Sequence, residues 1–117
     1  MKILSPYQTF EDERGILLGL LNEGNWEEFN YLETKSGLSR GNHYHKLTRE
    51  FFFIIEGEGE IHIQDEFGLV TEHSFKSKDL FVIEPGENHT FYCKSDTKWI
   101  NALSKKFDNQ APDIHRR

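Results

Sequence analysis

Residues 37–57 read Gly37-Leu38-Ser39-Arg40-Gly41-Asn42-His43-Tyr44-His45-Lys46-Leu47-Thr48-Arg49-Glu50-Phe51-Phe52-Phe53-Ile54-Ile55-Glu56-Gly57. The run Phe51–Ile55 contains no polar residue, the pattern of a central strand covered on both faces. Ahead of it, His43 and His45 stand at i and i+2. On a strand such residues project from one face about 6–7 Å apart, so two imidazoles can converge on one ion or one substrate group. Lys46–Arg49 forms a short, turn-like insert. Glu50 then opens the apolar strand, an awkward place for a carboxylate unless it is solvated or paired, because burying a lone charge is costly.

Outward from this stretch the chain repeats a strand-and-turn grammar. Turn signals fall at Gly15, Gly24-Asn25, Ser36-Gly37, Gly57, Gly59, Asp65, Gly68, Pro85-Gly86 and Ser95-Asp96. The runs between them are rich in Ile, Val, Phe, Tyr and Thr, which favour strands. In Glu60–Gln64 the two isoleucines face one way and the polar residues the other. The acidic run Glu56–Glu60, with glycines between its carboxylates, reads as a solvated hairpin turn. No stretch sustains a capped helical period beyond about three turns. The expectation is an all-β sandwich or barrel.

The chain of 117 residues reads as one domain, residues 1–117, with only the polar tail 108–117 predicted to leave the core. An aromatic content of 14 % is too high for a disordered chain. A net charge of −6 argues against a nucleic-acid partner, whose phosphates it would repel. The longest apolar stretches, Ile16–Leu21 and Phe51–Ile55, fall far short of the roughly 20 residues needed to span a membrane. The N-terminus lacks an extended apolar region and a small-residue cleavage site, so a cytoplasmic location is expected. A single cysteine, Cys93, excludes an intrachain disulfide framework and a thiolate zinc knuckle. Of six histidines, His89 follows the turn Pro85-Gly86 and shares a strand face with Phe91 and Cys93. His62, His73 and His115 read as surface residues.

Gly37, five residues, His43-x-His45, four residues, Glu50, six residues and Gly57 match every fixed position of the first cupin motif. Gly86-x-x-His89 matches the second, although Lys78 stands where that family usually has Gly, Glu84 where it has Pro and Cys93 where it has Asn. The chain is identified as a member of the cupin superfamily, and residues 37–93 carry the resemblance. It implies a single small antiparallel (jelly-roll) barrel, with His43, His45, Glu50 and His89 holding a divalent metal. Three neutral imidazoles and one carboxylate suit Zn, Mn, Fe, Co or Ni. Four protein ligands fill a tetrahedral Zn site, whereas the other ions in octahedral sites would keep two positions open.

Two local segments narrow the resemblance. Arg40–Lys46 flowing into Glu50–Gly57 is similar to the C-terminal cupin domain of bifunctional capsular-polysaccharide enzymes and, more distantly, to deoxysugar 3,4-ketoisomerases; Phe107-Asp108-x-x-x-Pro112-Asp113 resembles the end of the capsular domain. This implies epimerisation beside the ketone of a nucleotide-linked 4-keto-6-deoxyhexose in surface-polysaccharide biosynthesis, with Zn as the metal. The cupin resemblance, with an apolar Phe51–Ile55 strand and many aromatics in need of cover, implies a homodimer. The ketoisomerases typically carry Gln where Glu50 stands and use the His pair without metal. Candidate proton-transfer residues are Tyr31 and Glu84. Candidate substrate-binding residues are Arg40, for phosphate charge, and Trp26 and Phe91, for stacking. An Fe- or Ni-dependent oxygenase and a non-enzymatic ligand-binding cupin are the alternatives.

Overall fold

Phe51 and Phe52 pack against different hydrophobic clusters, and these two clusters lie on opposite faces of one sheet. The computed structural model describes all 117 residues as strands and turns without a helix. In chain order the strands are β1 (Lys2–Leu4), β2 (Gln8–Asp12), β3 (Gly15–Gly19), β4 (Glu28–Thr34), β5 (Ser39–His43), β6 (Glu50–Glu56), β7 (Gly59–Gln64), β8 (Val70–Phe75), β9 (Leu80–Ile83), β10 (Asn88–Cys93) and β11 (Thr97–Leu103). Antiparallel pairing makes a five-stranded sheet, β1-β9-β6-β11-β4, and a four-stranded sheet, β5-β10-β7-β8; β2 and β3 form a separate hairpin. This is the antiparallel two-sheet barrel that the resemblance implies. No helix is long and apolar enough to cross a membrane.

Alternation along each strand builds the core. Phe52, Ile54, Phe81, Ile83 and Trp99 project inward from the larger sheet and meet Ile61, Ile63, Phe75, Phe91 and Cys93 from the smaller one. Phe51, Leu80, Val82 and Ala102 face the other way, where Leu20, Leu21 and Trp26 pack over them. The segment between β3 and β4 is therefore the second cover that an unbroken apolar strand requires. β6 lies at the centre of its sheet, between β9 and β11, as its composition predicts.

Three local expectations change. The Glu56–Glu60 turn is not a hairpin: β6 and β7 belong to different sheets, and the turn carries the chain across the barrel's edge. Gly57 serves that crossing, because its φ of +123° suits glycine and a Cβ there would lie 2.5 Å from Thr97 Oγ1. The tail does not leave the core along its whole length. Asp113 accepts hydrogen bonds from residues 46–48, and His115 forms an antiparallel bridge with Tyr44. Thirdly, His45 lies beyond the end of β5, so the His pair does not share one continuous strand.

Lys78, at the place where the resemblance expects glycine, has φ +73° and donates its backbone N–H to Ile54 O at 2.6 Å. A side chain in the left-handed region is disfavoured by roughly 1–2 kcal/mol, partly offset by the greater chain entropy glycine loses on folding, about 0.5–1 kcal/mol. Lys78→Gly is therefore expected to stabilise the protein by about 0.5–1 kcal/mol in urea denaturation, whereas Lys76→Gly in the same turn is expected not to.

Candidate metal centre

The end of β5 is bent to aim His43 inward. His43 lies opposite His89 in the β5–β10 ladder, and the register shifts between His89 and Thr90. The irregularity is absorbed by Asn42, at φ 61°, and Gly41, where a Cβ would lie 2.5 Å from the His89 carbonyl oxygen. A bulge of this kind re-aims side chains; here it leaves Arg40 and His43 lining the same cavity despite their spacing of three. His45 reaches the same point from the turn after β5, its ring centroid 5.0 Å from that of His43. Its carbonyl accepts the Gly86 N–H at 2.7 Å. Glu50, the first residue of β6, and His89, in β10, are 6 % and 1 % exposed. One ligand atom from each of His43, His45, Glu50 and His89 lies within 4.8 Å of all the others.

The second ring nitrogens explain this convergence. His45 Nδ1 donates to Asp113 O at 2.6 Å, and His89 Nδ1 donates to Glu87 O at 3.1 Å. Each bond turns Nε2 toward Glu50, whose Oε1 pairs with His45 Nε2 and lies 3.3 Å from His89 Nε2. Carbonyl-anchored imidazoles of this kind are typical of metal ligands. Glu50 Oε2 accepts from Asn101 Nδ2 at 2.8 Å, and Asn101 Oδ1 accepts from Asn30 Nδ2 at 2.9 Å.

The charges follow from these contacts. Burial pushes the Glu50 carboxyl up, but hydrogen bonds from His45 and His89 outweigh it and hold the group down at about 2. Burial, together with the neighbouring His89 and His45, lowers His43 to about 4, leaving it neutral near pH 7. Burial works against a charge on His45 as well, yet the Glu50 carboxylate and Asp113 raise it above the ordinary histidine range. Asp113 is held well below the usual carboxylate range: burial would raise it, but the N–H groups of Lys46 and Leu47 and the Thr48 hydroxyl prevail. The donor set of three imidazoles and one carboxylate, each with its orientation set or its proton displaceable, fits a divalent first-row ion. Cys93 is buried in the apolar cluster and is not part of the group.

Beside the group lies a cavity of about 290 Å³, lined by His43, Glu50, His89, Arg40, Phe91 and Asn101 among others. Arg40 Nε donates to Thr34 Oγ1 at 2.8 Å from within it. Of the sequence candidates, Arg40 and Phe91 are thus brought to the site, and three are not. Tyr31 is 59 % exposed and faces away from its neighbours Asn30 and Leu32, which point inward. Glu84 lies outside the lining and pairs with Arg49 at 3.0 Å. Trp26 packs on the far side of the larger sheet against Phe51, with the Arg49 guanidinium 5.5 Å from its ring centroid. His62 lies on β7 within 3.9 Å of Glu60 and Glu72, in a second and more exposed group.

Sequence reasoning missed Asn101, Asn30 and Asp113. Asn101 left a signal, a lone polar residue at an inward position of Trp99-Ile100-Asn101-Ala102. Asp113 stood out only as a position of the Phe107–Asp113 resemblance, which gave no sign of its role, because the turn it satisfies is 65–67 residues earlier in the chain.

Comparison with known proteins returns one domain family and several solved structures of one fold. The profile of the polysaccharide biosynthesis C-terminal domain matches residues 10–115. No curated sequence matches significantly. Among solved structures, the capsular polysaccharide assembling protein CapF from Staphylococcus aureus superposes with TM-score 0.73 at 21 % identity, covering 97 % of this chain and 32 % of that one. The chain thus spans about a third of the length of CapF. The TDP-quinovose 3,4-ketoisomerase WlaRB from Campylobacter jejuni gives TM-score 0.85 at 20 % identity, covering 99 % and 92 % of the two chains. The 3,5-epimerase RmlC from Legionella pneumophila, in complex with dTDP-4-keto-L-rhamnose, gives 0.75 at 18 % identity, covering 93 % and 69 %. These likenesses establish the cupin fold.

Titration calorimetry with Zn²⁺ or Co²⁺ is expected to show one strong site per chain. His89→Ala and Glu50→Ala should weaken it by at least about 100-fold, on the scale of tenfold or more seen for outer-shell losses alone, and His62→Ala should leave it unchanged. Because His45 carries a displaceable proton, uptake at pH 6 should release protons, seen as a dependence of the measured heat on buffer ionisation enthalpy.

Proposed function

The chain belongs to the polysaccharide biosynthesis C-terminal domain family, and from that membership we propose that it is a sugar-nucleotide epimerase or isomerase. In this proposal it acts on the carbon beside the ketone of a 4-keto-6-deoxyhexose, in the cytoplasm, during surface-polysaccharide biosynthesis. The observation that carries the reading is the buried His43–His45–Glu50–His89 group opening onto a cavity beside it. At about 290 Å³ that cavity lies at the small end of the usual ligand-pocket range of roughly 300–1,000 Å³. It suits one sugar ring, with the nucleotide outside. The solved complex of the Legionella epimerase with a 4-keto sugar nucleotide supports the substrate class.

In this reading the four side chains hold a divalent metal, with Zn favoured by the capsular likeness. Bound there, the metal would supply Lewis acidity to a ketone oxygen, acidifying the neighbouring C–H. Asn101 and Asn30 keep the Glu50 carboxylate in place, and Phe91 offers a flat apolar wall to the sugar. Arg40 supplies local positive charge in a chain of net charge −6.

One observation favours a second, metal-free reading. With Tyr31 and Glu84 away from the cavity, His43 is the partly exposed lining group that is neutral near pH 7, and hence the one able to accept a proton from the substrate. The two readings part on a single treatment. In D₂O, the enzyme is expected to place deuterium beside the ketone of a 4-keto-6-deoxy nucleotide sugar, read by mass spectrometry. Chelation abolishes the exchange in the first reading and leaves it intact in the second, and no exchange by metal-loaded protein across a panel of such sugars contradicts both.

We also propose a homodimer formed through the outer face of the larger sheet, where Phe29 is 70 % exposed beside Tyr31 on β4. Light scattering at micromolar concentration should give twice the chain mass, and Phe29→Asp should shift it toward the monomer.

A further inference from the structure

Asp113 is bonded to both sides of one ligand. Its Oδ2 accepts the Leu47 N–H at 2.9 Å, the Thr48 N–H at 3.0 Å and the Thr48 hydroxyl at 2.9 Å, and its Oδ1 accepts the Lys46 N–H at 2.9 Å. These residues make up most of the link between His45 and Glu50. Its backbone carbonyl takes the His45 Nδ1–H at 2.6 Å. The neighbouring chain reinforces the grip. Tyr44 and His115 exchange backbone hydrogen bonds of 2.9 and 3.0 Å, and the Arg117 guanidinium lies 4.3 Å from the centroid of the Tyr44 ring. Arg117 Nη2 also donates to Gly86 O at 2.7 Å, and Gly86 in turn donates to the His45 carbonyl.

We propose that Asp113 is a positioning residue for the ligand group, acting through His45. Its carbonyl fixes the ring with the proton on Nδ1 and Nε2 toward Glu50, while its carboxylate holds the 46–48 turn in the shape that brings His45 and Glu50 side by side. An imidazole fixed in this way meets an ion without first losing rotational freedom, and removal of such an anchor weakens metal binding by about 10–100-fold. The consequence for affinity rests on the metal-centre reading above. The clamp itself is a property of the protein alone, so the two can fail separately.

The test uses full-length Asp113→Ala and Asp113→Asn. Long-range ¹H–¹⁵N NMR of the metal-free protein reads the His45 ring nitrogens directly. Wild type is expected to show a single His45 ring form with Nδ1 protonated. Both substitutions keep the backbone carbonyl, but Asp113→Ala loses the carboxylate that docks it beside His45. The His45 signals should therefore move toward exchange-averaged positions in Asp113→Ala while those of His89, anchored on Glu87, stay in place; Asp113→Asn, which keeps one acceptor oxygen for the 46–48 turn, should fall between. Co²⁺ affinity should drop about 10–100-fold in Asp113→Ala, and in a His45→Ala background the same substitution should cause no further loss. Unchanged His45 signals in the substituted proteins, or an equal loss of cobalt affinity with and without His45, would overturn the proposal. If wild type takes up no cobalt, the metal reading fails and the NMR comparison still decides the clamp. If Asp113→Ala does not fold, Asp113→Asn carries both measurements.

Discussion

A carboxylate sealed inside an aromatic barrel is the constraint around which this molecule is arranged. Burying an ion costs several kcal/mol unless its oxygens are paired and hydrogen-bonded. Glu50 meets that demand at the mouth of the Phe52–Trp99–Phe91 core, with two imidazoles on one oxygen and an asparagine amide on the other. Each of those partners has its own fixed support: Asp113 for His45, Glu87 for His89, Asn30 for Asn101. The bulge at Asn42 and the docked segment around Asp113 are consequences of gathering these groups from β5, β6, β10, β11 and the chain terminus. Removed from water and held by the two imidazoles, the carboxylate becomes part of a group that a divalent cation can occupy.

The parts of this arrangement that were legible in the sequence are those with short-range causes. Phe51–Ile55 could only be a strand between two covers, and the structure supplies the inner cluster on one side and Leu20, Leu21 and Trp26 on the other. The four-residue group was legible through the cupin resemblance, even though His45 lies outside the strand that was to carry it. What escaped was long-range. Tyr31 was a plausible acid or base by residue type, but one step of strand parity put it on the outer face of β4 while Asn30 took the inner one. Trp26 was a plausible stacking ring, but the outer face of Phe51 needed cover. Glu84 was drawn to Arg49, and the role of Asp113 was hidden because a polar tail gives no sign of the distant N–H groups it will satisfy.

Fold and family membership together restrict the chemistry without selecting a reaction. The barrel is shared with ketoisomerases and epimerases of sugar nucleotides at about one residue in five, and the likeness to CapF covers only about a third of that protein. What this chain places beside the cavity is a carboxylate paired with the histidine group. Where the ketoisomerase resemblance expects a neutral Gln, Glu50 carries a negative charge, and that charge raises His45 while burial and the neighbouring imidazoles lower His43. The same four residues can therefore present a ligand set to a cation or a neutral imidazole to a substrate.

The coordination shell itself decides whether the first of these holds. X-ray absorption fine structure on protein loaded with one equivalent of Zn²⁺ reads ligand type and distance without requiring activity. The account predicts nitrogen and oxygen scatterers only, at about 2.0–2.2 Å, with the outer-shell pattern of three imidazoles. A sulfur scatterer at about 2.3 Å, or an oxygen-only shell without imidazole features, would contradict it.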